Sequence, residues 1–466
     1  MRDAIFREYD IRGIVGTDFL VEEVYDLARA ISLYFKTQAP STSVVAVGMD
    51  GRLHSPAIKE QLVKGLNDSG LDVVFVGVCP SPALYFSLFT MPVDAGIMIT
   101  ASHNPKEYNG FKILLGKNNV WGSELKVIRD YYKEKKSVDS TRRGALCEKL
   151  VIPSYISWLA DHFSHLKNMN IKAIIDCGNA AGGTVVPLLI EAMNWKFVDP
   201  LCSDVDGNYP NHEADPCVEK NMQDVKERML TGVYDVGIGL DGDCDRMVPM
   251  TPSGYLVPGD KLFALYSQDV LQKHPGAGIV VDIKSSSGLL ELLEQWKAQV
   301  TISPSGHAII KDRMKKYNAL LAGELSCHFF FADSYFGYDD GIYAFMRLFD
   351  IMQKTGKSLE ELLIVFPQKF SSIEIRLTCA ENKKQEIIHE IAQAFSKLPD
   401  VTLITVDGVR ASLPYGWGIV RASNTQDVLS MRFESDSPEG LALIKKDFAT
   451  ILSRYYNNAL LQQHFN

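Results

Sequence analysis

Val44-Val45-Ala46-Val47-Gly48-Met49-Asp50 is an unbroken apolar run that stops on an aspartate, and an amphipathic stretch from Pro56 to about Asn67 follows it. A short run rich in β-branched residues reads as a buried strand, and the stretch after it as a helix. The same sentence recurs further along. Ala173-Ile174-Ile175-Asp176-Cys177-Gly178 precedes a helical pattern near Thr184 to Met193, and Gly278-Ile279-Val280-Val281-Asp282 precedes one near Gly288 to Lys297. Each helix leads to another apolar run, such as Val73-Val74-Phe75-Val76 or Asp235-Val236-Gly237-Ile238-Gly239. Strands alternating with helices imply βαβ units, and continuous rather than alternating runs imply largely parallel sheets covered on both faces. Three such units spaced ~110–130 residues apart predict three related α/β domains.

The last hundred or so residues read differently. Ile373-Glu374-Ile375-Arg376-Leu377 alternates, a helix is expected from Lys383 to about Phe395, and strands at Val401–Ile404, Trp417–Val420 and Leu429–Phe433 precede a final helix from about Pro438 to Tyr455. That order predicts an α+β domain with an antiparallel layer. Linkers are expected near Lys135–Arg143, Met250–Gly259 and Lys354–Ser358.

A chain of 466 residues needs three or four cores, and 46% hydrophobic with 23% charged content is that of a globular protein. The net charge of -9 argues against a nucleic-acid or anionic-membrane surface, which demands a basic footprint. Phosphate binding then requires cations gathered in one cleft. No apolar run approaches the ~20 residues of a membrane span. The opening Met1-Arg2-Asp3-Ala4-Ile5-Phe6-Arg7-Glu8-Tyr9 carries acids where a signal peptide has its apolar core. The 8 cysteines are scattered without a C-x-x-C pair, as expected of free thiols in the cytoplasm.

Four stretches carry candidate chemistry. In Gly239-Leu240-Asp241-Gly242-Asp243-Cys244-Asp245-Arg246 the acids follow a strand, at the end where ligands bind in open α/β sheets. Three alternating carboxylates repel one another unless a cation gathers them, and an all-oxygen donor set suits Mg²⁺. Gly237–Gly242 formally matches G-x-G-x-x-G, but acids rather than a helix follow it. A calcium loop is excluded because Arg246 takes the sixth position and Pro252 the twelfth. Thr100-Ala101-Ser102-His103-Asn104-Pro105 also follows an apolar strand, Ala95–Ile99. Ser102 there is a turn residue or, with Thr100, His103, Asn104 and Lys112 for company, a hydroxyl that carries phosphate.

In Ala322-Gly323-Glu324-Leu325-Ser326-Cys327-His328 alternate side chains project to one side, so Glu324, Ser326 and His328 can bind sugar hydroxyls. Glu324 can equally serve a helix N-terminus. Arg421-Ala422-Ser423-Asn424-Thr425 offers a guanidinium fork with neutral donors for a phosphate, or is a plain hairpin. Lys284 and Gly306-His307 complete the set, and Gly356-Lys357-Ser358 lacks the leading glycine of a nucleotide-binding loop.

Taken together and in this order, the four stretches resemble the α-D-phosphohexomutase superfamily across nearly the whole chain. Glu-x-Ser-x-His and the opening Phe6-Arg7-Glu8-Tyr9-Asp10-Ile11-Arg12-Gly13 are similar to its phosphomannomutase/phosphoglucomutase branch. The resemblance implies four domains around a central cleft, over residues 1–148, 149–251, 252–364 and 365–466, bearing in turn the phosphoserine, metal, sugar and phosphate loops. It implies that hexose 1-phosphate and 6-phosphate (mannose and/or glucose) interconvert through phospho-Ser102 and a 1,6-bisphosphate, which also serves as primer. A Mg²⁺ ion is implied on Ser102, Asp241, Asp243 and Asp245, and a catalytic set of Ser102, His103, Lys112, Arg246 and His307. Substrate residues implied are Tyr9, Arg12, Lys284, Glu324, Ser326, His328, Arg421, Ser423, Asn424 and Thr425. Lys112 and His307 are the candidates for general acid or base, and the C-terminal domain is expected to swing. The expected partners are small hexose phosphates, neither nucleic acid nor membrane, with the chain a monomer or small homo-oligomer. A sugar-phosphate-binding protein or a metal-dependent sugar phosphatase is the alternative on the same fold. The chain departs from the family in having Cys327 where glycine is usual, and Gln426-Asp427 where glutamate and proline are common.

Overall fold

The apolar run from residue 44 forms a central strand, and a helix starting one residue ahead of the expected proline follows it. The structure, a computed structural model, describes residues 1–422 and 427–465. Met1–Leu262 with Ser326–Leu363 form one compact unit; Phe263–Leu325 and the described residues from Ile364 onward form the other.

The first unit begins with strands β1 (Ile11–Ile14), β2 (Val44–Met49), β3 (Asp72–Val78), β4 (Ala95–Ile99), β5 (Tyr108–Leu115), β6 (Asn118–Asn119) and β7 (Leu146–Glu148). Their order is β1-β5-β4-β2-β3-β7, with β6 on β5. Strand β2 is parallel to both β3 and β4, and β3 to β7, while β5 runs antiparallel to β4 and β1. Val45, Ala46 and Val47 are wholly buried, as a strand covered on both faces requires. The helix Ser55–Asp68 has Pro56 in its first turn, where the missing N–H costs nothing. It packs on the helix Val24–Gln38 so closely that a Cβ at Gly65 would lie 2.5 Å from the Tyr25 carbonyl oxygen.

Strands β8 (Ala173–Asp176), β9 (Val198–Leu201), β10 (Val236–Leu240) and β11 (Met247–Met250) make a second sheet, ordered β11-β10-β8-β9. It is parallel except for β11, which doubles back beside β10. The helix expected from Thr184 begins instead at Val186, after a 3₁₀ turn over Ala181–Thr184. Gly182 and Gly183 disfavour the α-helix, and Pro187 suits its first turn. Within the same unit the helix Gly341–Thr355 is capped by Asp340, whose carboxylate accepts the Tyr343 N–H and the Tyr155 and Tyr335 hydroxyls.

In the second unit β12 (Gly278–Asp282) lies parallel to both β13 (Gln299–Ser303) and β14 (Leu321–Gly323). The C-terminal strands Phe370–Ser371, Ile375–Thr378, Thr402–Ile404, Val409–Leu413, Gly416–Ala422 and Val428–Ser435 pair antiparallel throughout. The helices Glu381–Phe395 and Pro438–Leu452 cover them and supply Ile391, Phe395, Ile444 and Phe448 to the core. The final helix stops at Leu452, short of the expected Tyr455. A further one, Asn458–Phe465, starts where the Asn457 side chain accepts the Leu460 N–H.

The C-terminal strands are fixed to the loop after β12. The Arg410 guanidinium lies 3.7 Å from the Trp417 ring centroid and donates to the Ile283 and Ser285 carbonyls at 2.7 Å. Glu434 accepts from the Ser286 hydroxyl, the Ser287 N–H and the Trp417 indole. The expected swing of the C-terminal domain would have to break this buried network. Among the described residues no helix is long and apolar enough to cross a membrane.

Candidate active site

Two loops at strand ends meet in the first unit. Beyond β4 the chain turns at Ser102, whose φ of 50° is left-handed, a conformation that costs a non-glycine residue about 1–2 kcal/mol. The backbone is fixed by Arg52, which is 1% exposed. Its guanidinium donates to the carbonyls of Ser102 (2.7 Å), Asn104 (2.6 Å), Pro105 (2.7 Å) and Tyr108 (3.1 Å), and to Asp50 (3.0 Å) at the end of β2. Nothing marked Arg52 in the sequence except that Asp50-x-Arg52 follows a strand ending beside Ser102.

Beyond β10 the chain turns through Asp241–Arg246. Asp241 and Asp243 have no solvent exposure and Asp245 has 1%. Oxygens of all three lie within 4.8 Å of one another. The Ser102 hydroxyl donates to Asp241 Oδ2 at 2.8 Å and lies 3.1 Å from His103 Nδ1. Gly242 is what lets the loops touch, because a Cβ there would stand 2.2 Å from the Ser102 carbonyl oxygen. Cys244, at φ 58°, takes the left-handed turn between the second and third aspartates.

Lys112, wholly buried on β5, donates to Asp243 Oδ2 at 2.6 Å and also to Asp245. Burial favours its neutral amine, but the two carboxylates prevail and hold it as an ammonium. Arg246 donates from Nε to Asp241 Oδ2 at 3.0 Å. These cations do not neutralise the loop. Burial first, and then Asp245 and Asp243, push Asp241 up to about 8. Asp243 Oδ1 is buried with no hydrogen-bond partner among the described residues. Three oxygen donors on one loop, an orphaned carboxylate oxygen and a serine hydroxyl beside them fit a hard divalent cation.

The other candidates of this unit lie around these loops. His103 is driven toward its neutral form by burial and then by Arg246 and Arg12. Arg12 donates to Asn104 Oδ1 at 2.6 Å, while Tyr9 is half-buried in the loop before β1. His328 Nε2 lies 3.3 Å from Asp245 Oδ1, and its Nδ1 is 3.2 Å from the Ser326 hydroxyl. A backbone bridge pairs Arg246 with His328. Cys327 adopts φ 67°, the left-handed geometry that suits a glycine.

The second unit gathers a different set. Glu324 is buried and its Oε1 accepts the Gly306 N–H at 2.8 Å, just ahead of the helix His307–Tyr317. Glu324 thus makes a helix-terminus contact, and His307 opens that helix. Lys284 Nζ lies 3.7 Å from Asp282 Oδ2. Arg421 donates from Nε to Asp407 at 2.8 Å, and Asp407 also accepts the Ser305 N–H at 3.2 Å. Asp407 thus joins the Arg421 strand to the loop before His307, a role the sequence did not signal. Ser423, Asn424 and Thr425 lie outside the described residues.

The fold and the serine–aspartate site define a phosphoryl-transfer enzyme. Four domain models match the chain in order: phosphoglucomutase/phosphomannomutase alpha/beta/alpha domain I over residues 3–139, domain II over 153–254, domain III over 258–370 and the C-terminal domain over 374–451. The chain belongs to the phosphoglucomutase/phosphomannomutase family. It is 40% identical over 97% of its length to a phosphomannomutase/phosphoglucomutase of Pseudomonas putida, covering 96% of that protein. It is 35% identical to a phosphoglucomutase of Neisseria gonorrhoeae, with 96% of each covered. A crystal structure of a phosphoglucomutase/phosphomannomutase family protein from Burkholderia thailandensis superposes with a TM-score of 0.89 at 30% identity, covering 100% of this chain and 99% of that one.

Proposed function

We propose that the chain interconverts the 1-phosphate and 6-phosphate of a hexose, mannose and/or glucose, through phospho-Ser102 and a hexose 1,6-bisphosphate. The observation that carries this is the Ser102 hydroxyl 2.8 Å from Asp241, beside a buried loop of three clustered aspartates.

Ser102 holds the phosphoryl group, and its left-handed backbone, pinned by Arg52, aims the oxygen at the aspartates. Asp241, Asp243 and Asp245 with the Ser102 oxygen would hold Mg²⁺. That cation, when bound, withdraws charge from the phosphoryl oxygens. Each transfer forms one P–O bond and breaks another, and the attacking hydroxyl loses a proton; the rate depends on positioning and electrostatics. Lys112, an ammonium, offsets negative charge and can return a proton to the leaving oxygen. His103, neutral beside the Ser102 hydroxyl, can accept one, and Arg246 braces Asp241. His307 is the proton carrier proposed for the second unit.

Glu324 and Ser326 read the sugar hydroxyls with His328, and Tyr9, Arg12 and Lys284 support the substrate. Arg421 with Ser423, Asn424 and Thr425 holds the phosphate that is not reacting. The bisphosphate must turn over between the two transfers, so this anchor accepts either phosphate. The substrates are small hexose phosphates, with the bisphosphate as primer.

Intact-mass measurement tests the reading. The purified protein should carry a form about 80 Da heavier that is absent from Ser102→Ala. Glucose 1-phosphate, mannose 1-phosphate and glucosamine 1-phosphate, each with Mg²⁺ and trace bisphosphate, should show sugar interconversion well above phosphate release. Phosphate release without interconversion would identify a phosphatase. Absence of both would leave only a binding protein.

A further inference from the structure

Cys217 and Cys327 are 110 positions apart in sequence, yet Cys217 packs on the turn that carries Cys327, its thiol donating to the Ser326 carbonyl and lying within interaction range of the Cys327 thiol. Cys217 is exposed, and its sulfur lies 3.7 Å from the Ser326 carbonyl and 3.7 Å from Arg246 Nη1. Cys327 is buried at the centre of the Ser326–His328 turn, in left-handed geometry that a glycine would take without strain. The pair therefore joins an exposed thiol beside a guanidinium to a buried thiol on the turn that carries two proposed substrate residues. By contrast, Cys79, Cys177 and Cys244 are wholly buried, where desolvation keeps thiols protonated and unreactive.

We propose that Cys217 and Cys327 are a peroxide-reactive thiol pair that closes to a disulfide and locks the Ser326–His328 turn. The Cys217 thiolate attacks one peroxide oxygen and breaks the O–O bond, giving a sulfenic acid and hydroxide, which takes up a proton to become water. The Cys327 sulfur then attacks the sulfenic sulfur, forming the S–S bond as its proton leaves with the departing hydroxyl as a second water. Two thiols lose two electrons, and hydrogen peroxide accepts them. The chemistry asks for an accessible attacking sulfur with thiolate character and a resolving sulfur in contact with it. The Cys327 side chain and the Arg246 guanidinium both lower the Cys217 thiol from its ordinary value, which agrees with that assignment.

The bond would act on the site in two ways. It would tether the turn holding Ser326 and His328 to the loop of Cys217, and it would end the Cys217 thiolate's hold on Arg246, which also braces Asp241. The thiol chemistry does not depend on the proposed mutase function; only the activity readout rests on it.

The full-length protein is treated with a few equivalents of hydrogen peroxide, alkylated, and digested without reductant. Mass spectrometry should find a peptide pair joined with loss of two hydrogens, its fragment ions placing the link at Cys217 and Cys327 rather than at Cys202, which lies near Cys217 in sequence. Mutase turnover should fall at least tenfold, return on adding dithiothreitol, and resist peroxide in Cys217→Ser. A Cys217 oxidised to sulfinic acid while Cys327 is still alkylated would overturn the pair, and a cross-link that leaves turnover unchanged would overturn the lock. A cross-link in a protein with no mutase activity would sink the proposed function and leave the thiol pair standing.

Discussion

Asp241 and Glu374 are carboxylates beside proposed ligand-binding loops, and their surroundings drive them in opposite directions. Burial and two neighbouring aspartates raise Asp241 to about 8. Burial also acts to raise Glu374, but the Lys284 ammonium, the Ser430 hydroxyl and Arg376 hold it down at about 2. Once Asp241 ionises, the serine–aspartate loops carry a negative charge that Lys112 and Arg246 do not cancel. In the second unit Lys284, Arg410, Arg421 and Arg432 stand among Asp282, Glu374, Asp407 and Glu434, so the charges are already matched. The first arrangement attracts a cation; in the second, an incoming anion competes with carboxylates for the same guanidinium groups. On the proposed function, the first site would be completed by binding and the second would exchange partners on binding.

Catalytic rate should break the comparison most sharply. Lys112→Met leaves Asp243 and Asp245 facing each other without their cation, and kcat should fall about 100- to 1,000-fold. Asp407→Asn removes only the competitor of Arg421 and the Ser305 tie, so KM should change less than about tenfold with kcat nearly kept. Steady-state kinetics of both variants decides the point. A larger loss from Asp407→Asn would show that the second region, too, depends on pre-set charge.

Stability comes next. Arg52→Met strands Asp50 and four carbonyls, and should cost about 3–5 kcal/mol in urea melts. Arg410→Met frees two carbonyls and loses the Trp417 stack but strands no buried partner charge at hydrogen-bond distance. It should cost about 1–3 kcal/mol.

What the sequence disclosed follows from the range of the interactions. Ser102 and the three aspartates are local motifs at strand ends, legible because an apolar run dictates where the loop begins. Strand β2 was legible for the same reason, since its burial on both faces is written in consecutive residues. Arg52 was not, because its partners at Pro105 and Tyr108 lie more than fifty positions away and are backbone carbonyls, which any sequence supplies. Asp407 and the Cys217–Cys327 contact depend on loops brought together by folding. Glu324 shows the limit from the other side: its chemistry allowed two roles, and only folding revealed its contact with Gly306.

The response to pH separates the regions further. The folded pKa of Asp241 is raised above its unfolded value of 3.8, so its contribution to stability is full below that pH and is lost as pH rises through about 8. Metal-free protein should therefore lose stability between pH 4 and 8, by at most about 1.4 kcal/mol per pH unit from this group. Added Mg²⁺ should raise the melting temperature more at pH 8 than at pH 5. Equal shifts at both values would show that the aspartates are already charge-balanced without a cation.

Glu374 gives the smallest and opposite effect. Its folded pKa lies below the unfolded 4.5, so its stabilisation is present above pH 4.5 and is lost as pH falls through about 2. The side chain is 33% exposed, and solvent screening limits the contribution to less than about 1 kcal/mol. Glu374→Gln should be slightly less stable than the parent at pH 7, with the gap closing by pH 2 in denaturant melts. A gap that persists in acid would mean Glu374 contributes through packing or hydrogen bonds to Ser430 rather than through charge. The second region would then be held by contacts that do not sense charge at all, and the contrast with Asp241 would rest on the first region alone.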